Sequence, residues 1–299
     1  MSMRVVAALT LLLSVCPAFG ADTVTADALA TDVEAPSDLP RLPSGRPDLS
    51  GVWQVMSRAN DGLLPHPARA ARALREGPFG PVPAAEVVAL GAVGAVPAGL
   101  GVVDGGEIPY LPGKEAVQQE HADDWLARDP EIKCWLPGVP RANYLPYPFQ
   151  IFHGEERLFI AYEFAGATRD VPFEDPGEAP VDSWMGQSWG RWDGDVLVVE
   201  VTGQNASTWF DRTGHWHTEA LKVTETWALQ NAHVMEYTAT IEDPNVYSRP
   251  WTIRMPVYRR VGADATLQQF KCVEFVEELL YGDLRKAPLD AERRSPLPE

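Results

Sequence analysis

From Phe149 onward the chain reads as a run of short segments rich in aliphatic, β-branched and aromatic residues, joined by connectors that leave room for little beyond a hairpin. The pattern predicts strands at 149–153, 157–164, 186–192, 196–202, 217–229, 234–242, 251–260 and 267–275. The link between the third and fourth is Asp193-Gly194-Asp195, and that between the fifth and sixth is Gln230 to His233. An earlier segment, "GVWQVM" from Gly51, adds one more strand. About eight or nine antiparallel strands must either stack as two sheets or close on themselves to protect their edges. We expect closure: a mainly β protein built on an antiparallel barrel.

Gly51, Val52 and Trp53 resemble the Gly-x-Trp that opens the lipocalins, whose tryptophan plugs the barrel floor. The stretches "RPDLSGVW", "GQSWGRWDGDVLVVEVTG" and "TEALKVTETW" resemble an uncharacterised family of secreted bacterial proteins with lipocalin-like (calycin-type) barrels. The resemblance covers roughly Arg46 to Phe275. It implies a fold and assigns no catalytic residue.

The organisation expected around the barrel is a signal peptide at 1–20, a disordered leader at 21–45, one barrel domain at 46–280 and a polar tail at 281–299. Residues 57–130 form an insertion dense in Ala, Gly and Pro, with short helical pieces near 67–75 and 83–90 and a helix at 114–128 ending before Pro130. This insertion is expected to cover one mouth of the barrel. The leader has one positive charge, Arg4, an apolar run from Val5 to Val15, and small residues at Ala18 and Gly20, which suits cleavage and export to the periplasm or the exterior.

Loss of residues 1–20 leaves 24 basic and 42 acidic residues, a formal charge of −18. Such a surface repels phosphate backbones and anionic lipids, so neither nucleic-acid binding nor membrane insertion is expected. Cys134 and Cys272 then remain as an even pair, and an oxidising compartment favours a disulfide between them over two free thiols.

The stretch "GHWHTEALKVTE" bears most directly on function. Alternation puts His215, His217, Glu219, Leu221, Val223, Glu225 and Trp227 on one strand face. Acids and imidazoles on an apolar face have shifted proton affinities, the condition from which general acids and bases are made. One reading is cofactor-independent acid–base catalysis, as a lyase, isomerase or hydrolase: His217 with Glu219 or Glu225, Arg169 steadying oxyanion charge and Tyr162 donating a hydrogen bond. A second is a divalent metal held by His215 and His217, a spacing similar to the H-x-H strand of cupins. A third is architectural, with Glu225 paired to Arg169 or Arg191. Trp189, Arg191, Trp209, Trp227 and His153 are candidate contacts to a hydrophobic or aromatic small molecule. A carrier without turnover, or a solidly filled envelope protein, fits the same residues. No nucleotide loop, G-x-S-x-G elbow, H-E-x-x-H helix or haem motif is present.

Overall fold

The computed structural model describes residues 39–68, 76–77, 80–81 and 96–274. Nine strands form the sheet: β1 Gly51–Val55, β2 Phe149–His153, β3 Arg157–Tyr162, β4 Thr168–Pro172, β5 Gln187–Asp193, β6 Val196–Thr202, β7 Lys222–Leu229, β8 Val234–Glu242 and β9 Trp251–Arg259. Their order is β4-β3-β2-β1-β9-β8-β7-β6-β5, with every hydrogen-bonded pair antiparallel. Consecutive strands are neighbours throughout, and β1 also pairs with β9. The result is a nearly closed barrel whose one seam without a backbone ladder lies between β4 and β5.

Side chains close that seam. Arg169 on β4 donates from Nε to Ser188 Oγ on β5 at 2.7 Å. At Gly190 of β5 an added Cβ would lie 3.3 Å from both Val171 and Phe173, so the bare backbone lets the β4 side press directly against β5. Val171 is fully buried there.

Alternation sets the interior. On β7, Val223, Glu225, Trp227 and Leu229 are buried and the residues between them are half-buried. Trp227 lies opposite Leu197 of β6 and Tyr237 of β8. The glycine of the Gly-x-Trp motif has a physical reason. Gly51 sits at φ +132°, and a Cβ there would lie 2.6 Å from Nη1 of Arg259. That guanidinium lies over the Trp53 ring, 4.4 Å from its centroid, and donates to the Ser50 carbonyl. Trp53 is fully buried, and its indole N–H donates to the Leu49 carbonyl at 2.9 Å.

Three of the expected strands and helices change. The segment predicted as a strand from His217 starts pairing only at Lys222, because Thr218 is held by Asp243 through its N–H at 2.6 Å and its hydroxyl, and a turn follows. Residues 267–274 are not a strand. Gln268 N–H donates to Glu163 at 2.7 Å, Phe270 packs on Tyr147 and Phe164 with centroids 5.0 Å away, and Cys272 is bonded to Cys134 across 138 residues. Side chains and a disulfide, not a ladder, hold this segment. The 114–128 helix divides at Asp124 into α1 Glu115–Asp123 and α2 Trp125–Arg128.

The leader expected to extend to residue 45 reaches the described chain at Leu39, and from there it is folded. Leu39 is buried and Arg41 forms a bidentate pair with Asp195 at 2.7 and 2.8 Å. The signal peptide, the leader to residue 38, the tail at 281–299, the helical piece expected at 83–90 and all but the first two residues of the one expected at 67–75 lie outside the described residues. Among the described residues, no helix is long and apolar enough to cross a membrane.

Candidate functional site

Glu225 lies at the centre of the barrel. Its Oε1 accepts from Asn143 at 2.7 Å, from the Tyr237 hydroxyl at 2.7 Å and from Arg169 Nη1 at 3.2 Å, and its Oε2 accepts from Arg169 Nη2. Asn143 comes from the single turn Arg141–Asn143 that leads into β2, and its carbonyl accepts from Tyr162 at 2.8 Å. No member of this set exceeds 4% exposure. Burial pushes the Tyr162 hydroxyl up to about 12, and burial with the Glu225 charge raises Tyr237 well above the ordinary phenol value, so both phenols stay protonated and donate. Arg169, Tyr162 and Glu225 are therefore brought together, in a network whose donors and acceptors satisfy one another.

A second buried cluster supports the mouth. Arg141 grips Asp129 with Nη1 at 2.8 Å and Nη2 at 3.0 Å, and Nη2 also reaches Glu131 at 2.9 Å. Arg212 chelates both oxygens of Glu131 at 2.8 and 2.9 Å, and Asn60 bridges Glu131 and Arg141. Burial favours the neutral acid at Glu131, but the guanidiniums of Arg212 and Arg141 outweigh it and hold the carboxyl at about 2.

The two histidines separate. The His217 ring is buried, with Nδ1 2.8 Å from the Thr218 carbonyl and Nε2 2.6 Å from the Thr208 hydroxyl. A carbonyl only accepts, so Nδ1 carries the proton and Thr208 donates to Nε2. Burial lowers the proton affinity of His217 below the ordinary imidazole value, against the opposing pull of the Thr218 carbonyl, Asp243 and Glu219. Glu219 itself is exposed on the turn. The unfolded chain therefore binds more protons than the folded one below about pH 6.5 at His217, and again below about pH 4.3 at Glu131. Stability should fall as pH drops through each window, and His217→Gln should flatten the first decline in a plot of Tm against pH. An unchanged slope would contradict a buried neutral imidazole.

His215 faces a different space. Its Nδ1 lies 2.8 Å from the Tyr110 hydroxyl and its Nε2 3.7 Å from Asp211 Oδ2. Asp211 is fully buried and fixed by the N–H groups of Leu63 at 2.8 Å and Thr213 at 3.0 Å and by the Thr213 hydroxyl at 2.8 Å. Burial, reinforced by the Asp211 charge, raises the Tyr110 hydroxyl above its ordinary value. Tyr110 and His215 line a cleft of about 400 Å³ together with Leu64, Ile108 and residues Glu115 and Ala116 of α1. That size suits a small organic molecule. Helix α1 is held over this region by His121, which stacks on Trp209 at 4.4 Å, and by the Gln118 amide, which donates to the Thr213 carbonyl.

The remaining candidates scatter. Trp189 and Arg191 lie on the outer face of β5, with Arg191 exposed. Trp227 is fully buried in the core, and His153 ends β2 at the opposite end of the barrel from the cleft. His215 and His217 engage separate partners, and among the described residues no three His, Cys, Asp or Glu side chains gather in a metal-binding arrangement. Sequence reasoning missed Tyr110 and Asp211. Tyr110 is 105 positions from His215, in the Gly- and Pro-rich insertion where no periodicity marks a partner. Asp211 carried a legible signal, since D-x-T-G is a turn sequence in which an aspartate caps nearby N–H groups. No family model matches this chain and no curated protein matches it closely enough to count as a relative, so the chemistry of the cleft rests on these contacts.

Proposed function

We propose that this is an exported barrel protein that binds a small hydrophobic or aromatic molecule in the cleft at the barrel mouth, where Tyr110 and His215 perform acid–base chemistry on it. The observation that carries the reading is the chain from Asp211 through His215 to the Tyr110 hydroxyl at the wall of that cleft. A raised phenol suits Tyr110 to donate a hydrogen bond to a ligand oxygen and not to act as a base. The His215 imidazole, with Asp211 beside its Nε2, lies in reach of the Tyr110 hydroxyl to pass a proton to it or take one from it as the ligand reacts. The step is cofactor-independent and belongs to a lyase, isomerase or hydrolase. Leu64, Ile108 and Ala116 supply the apolar contact. Export is supported by the leader at 1–20 and by the Cys134–Cys272 bond.

The test is a panel of small aromatic compounds assayed for binding and turnover with the wild type, His215→Ala and Tyr110→Phe. Turnover that falls by about 10²- to 10⁴-fold in His215→Ala, with a smaller change in affinity, supports catalysis. Binding that weakens in both variants with no turnover in any of them supports a carrier. Binding and turnover unaffected by either variant would remove the cleft from the reading.

A further inference from the structure

We propose that the mouth cleft selects its ligand by charge and takes a small aromatic molecule carrying a protonated amine, with Glu115 making the choice. This rests on the reading of the cleft as the ligand site and adds the class of ligand. Among the described residues that line the cleft, Glu115 is the one with a fixed charge, and no lysine or arginine is present. Glu115 opens α1 and is exposed at the rim. The basic side chains beside it are engaged elsewhere: Lys114 Nζ lies 5.8 Å from the Trp216 centroid, and Arg128 pairs with Glu120 at 2.8 Å and Asp124 at 3.4 Å.

The neutral polar groups of the lining point to the same sign. Gln118 donates its amide N–H to the Thr213 carbonyl, and Gln119 donates its own to Asp123 at 2.8 Å. Both partners are acceptors, so the nitrogens are the ends in use and each side chain keeps a carbonyl oxygen to offer. His215 does not reverse the balance. Asp211 lies 3.7 Å from its Nε2 and is fully buried, so a proton taken up by the ring meets a carboxylate and the pair gains no net positive charge. The Tyr110 hydroxyl at the wall feels both acids, since after burial the charges of Asp211 and Glu115 add to its rise. An ammonium group brings three donors and a positive charge to these acceptors. A carboxylate would meet repulsion from Glu115 with no cation in the lining to offset it. The ring of the ligand then packs on the apolar wall and its reacting oxygen still meets Tyr110.

The probes are benzylamine, protonated at neutral pH, its neutral counterpart benzyl alcohol, and benzoate, titrated into the intact protein with the Ala116 and Gln118 amide resonances as readout. One exposed charge pair changes affinity only a few-fold, so the signature is a ratio. Benzylamine should bind about threefold tighter than benzyl alcohol and about tenfold tighter than benzoate, attraction in one case and repulsion in the other each counting once. Glu115→Gln should cut the ratio of benzylamine to benzoate affinity by about threefold or more and leave benzyl alcohol unchanged. Glu155→Gln, which removes an exposed acid from the hairpin between β2 and β3, should leave the ratio as it is. Benzyl alcohol or benzoate binding at the cleft as tightly as benzylamine would overturn the selectivity and leave the cleft as the ligand site. A ratio that falls equally in Glu155→Gln would assign the preference to the acidic surface at large and overturn the role of Glu115. No shift at the cleft with any of the three probes would overturn the selectivity together with the reading on which it rests.

Discussion

Glu225→Gln is expected to lower stability by about 3–5 kcal/mol, the loss typical when one partner of a buried ion pair is removed. The substitution keeps the shape of the side chain but strips the charge facing Arg169, whose guanidinium is 4% exposed or less and has no route to water. Whichever way the amide turns, its N–H₂ meets a donor, either the three now on Oε1 or Arg169 Nη2 now on Oε2. The damage should spread to the seam, because Arg169 is the residue that ties β4 to Ser188 on β5. An opened seam exposes two strand edges. A paired replacement, Arg169→Met with Glu225→Leu, should be less harmful than either single change, since it removes both charges and leaves neither unpaired. Urea titration measures this directly. A loss below about 1 kcal/mol in the single variant, the range of exposed ion pairs, would contradict a sealed interior.

The second large effect belongs to the disulfide. Cys134 and Cys272 are 138 residues apart, and the chain-entropy model gives a bridge over so long a loop about 5 kcal/mol. Cys134→Ser with Cys272→Ser should lower the urea midpoint accordingly. It should also release a local element, because residues 267–274 lack a ladder and are otherwise held by Phe270 against Tyr147 and Phe164 and by the Gln268 N–H on Glu163. Proteolysis at low denaturant ought then to cut near residue 270 before the barrel unfolds. A double variant with unchanged midpoint and unchanged cleavage would contradict both parts.

The barrel was legible in the sequence because tight connectors fix neighbours and period-two alternation fixes the inward face. The strands Phe149–His153, Val196–Thr202 and Val234–Glu242 fall where the pattern predicts them. Alternation misled where a polar contact overrode it, as at Thr218, which Asp243 withdraws from the ladder. It misled again at 267–274, where apolar residues serve a side-chain strap. The inward position of Glu225 follows from the same alternation, and its partner Arg169 is one of the two arginines the sequence offers for it. The surroundings of His215 do not, since Tyr110 and Asp211 reach it from irregular segments whose placement depends on contacts distant in sequence.

The central claim is that a ligand seats in the mouth cleft beside Tyr110 and His215 while the barrel interior stays filled by Trp53, Trp227, Tyr237 and the Glu225 network. The most direct measurement is residue-assigned NMR of the protein during titration with small aromatic molecules. The account predicts saturable shifts at the His215 ring, Tyr110, Ala116 and Gln118, with the indole signals of Trp53 and Trp227 unmoved. Shifts centred on Trp227, Tyr237 and Tyr162, with the cleft silent, would show that the barrel opens to ligand and would contradict it.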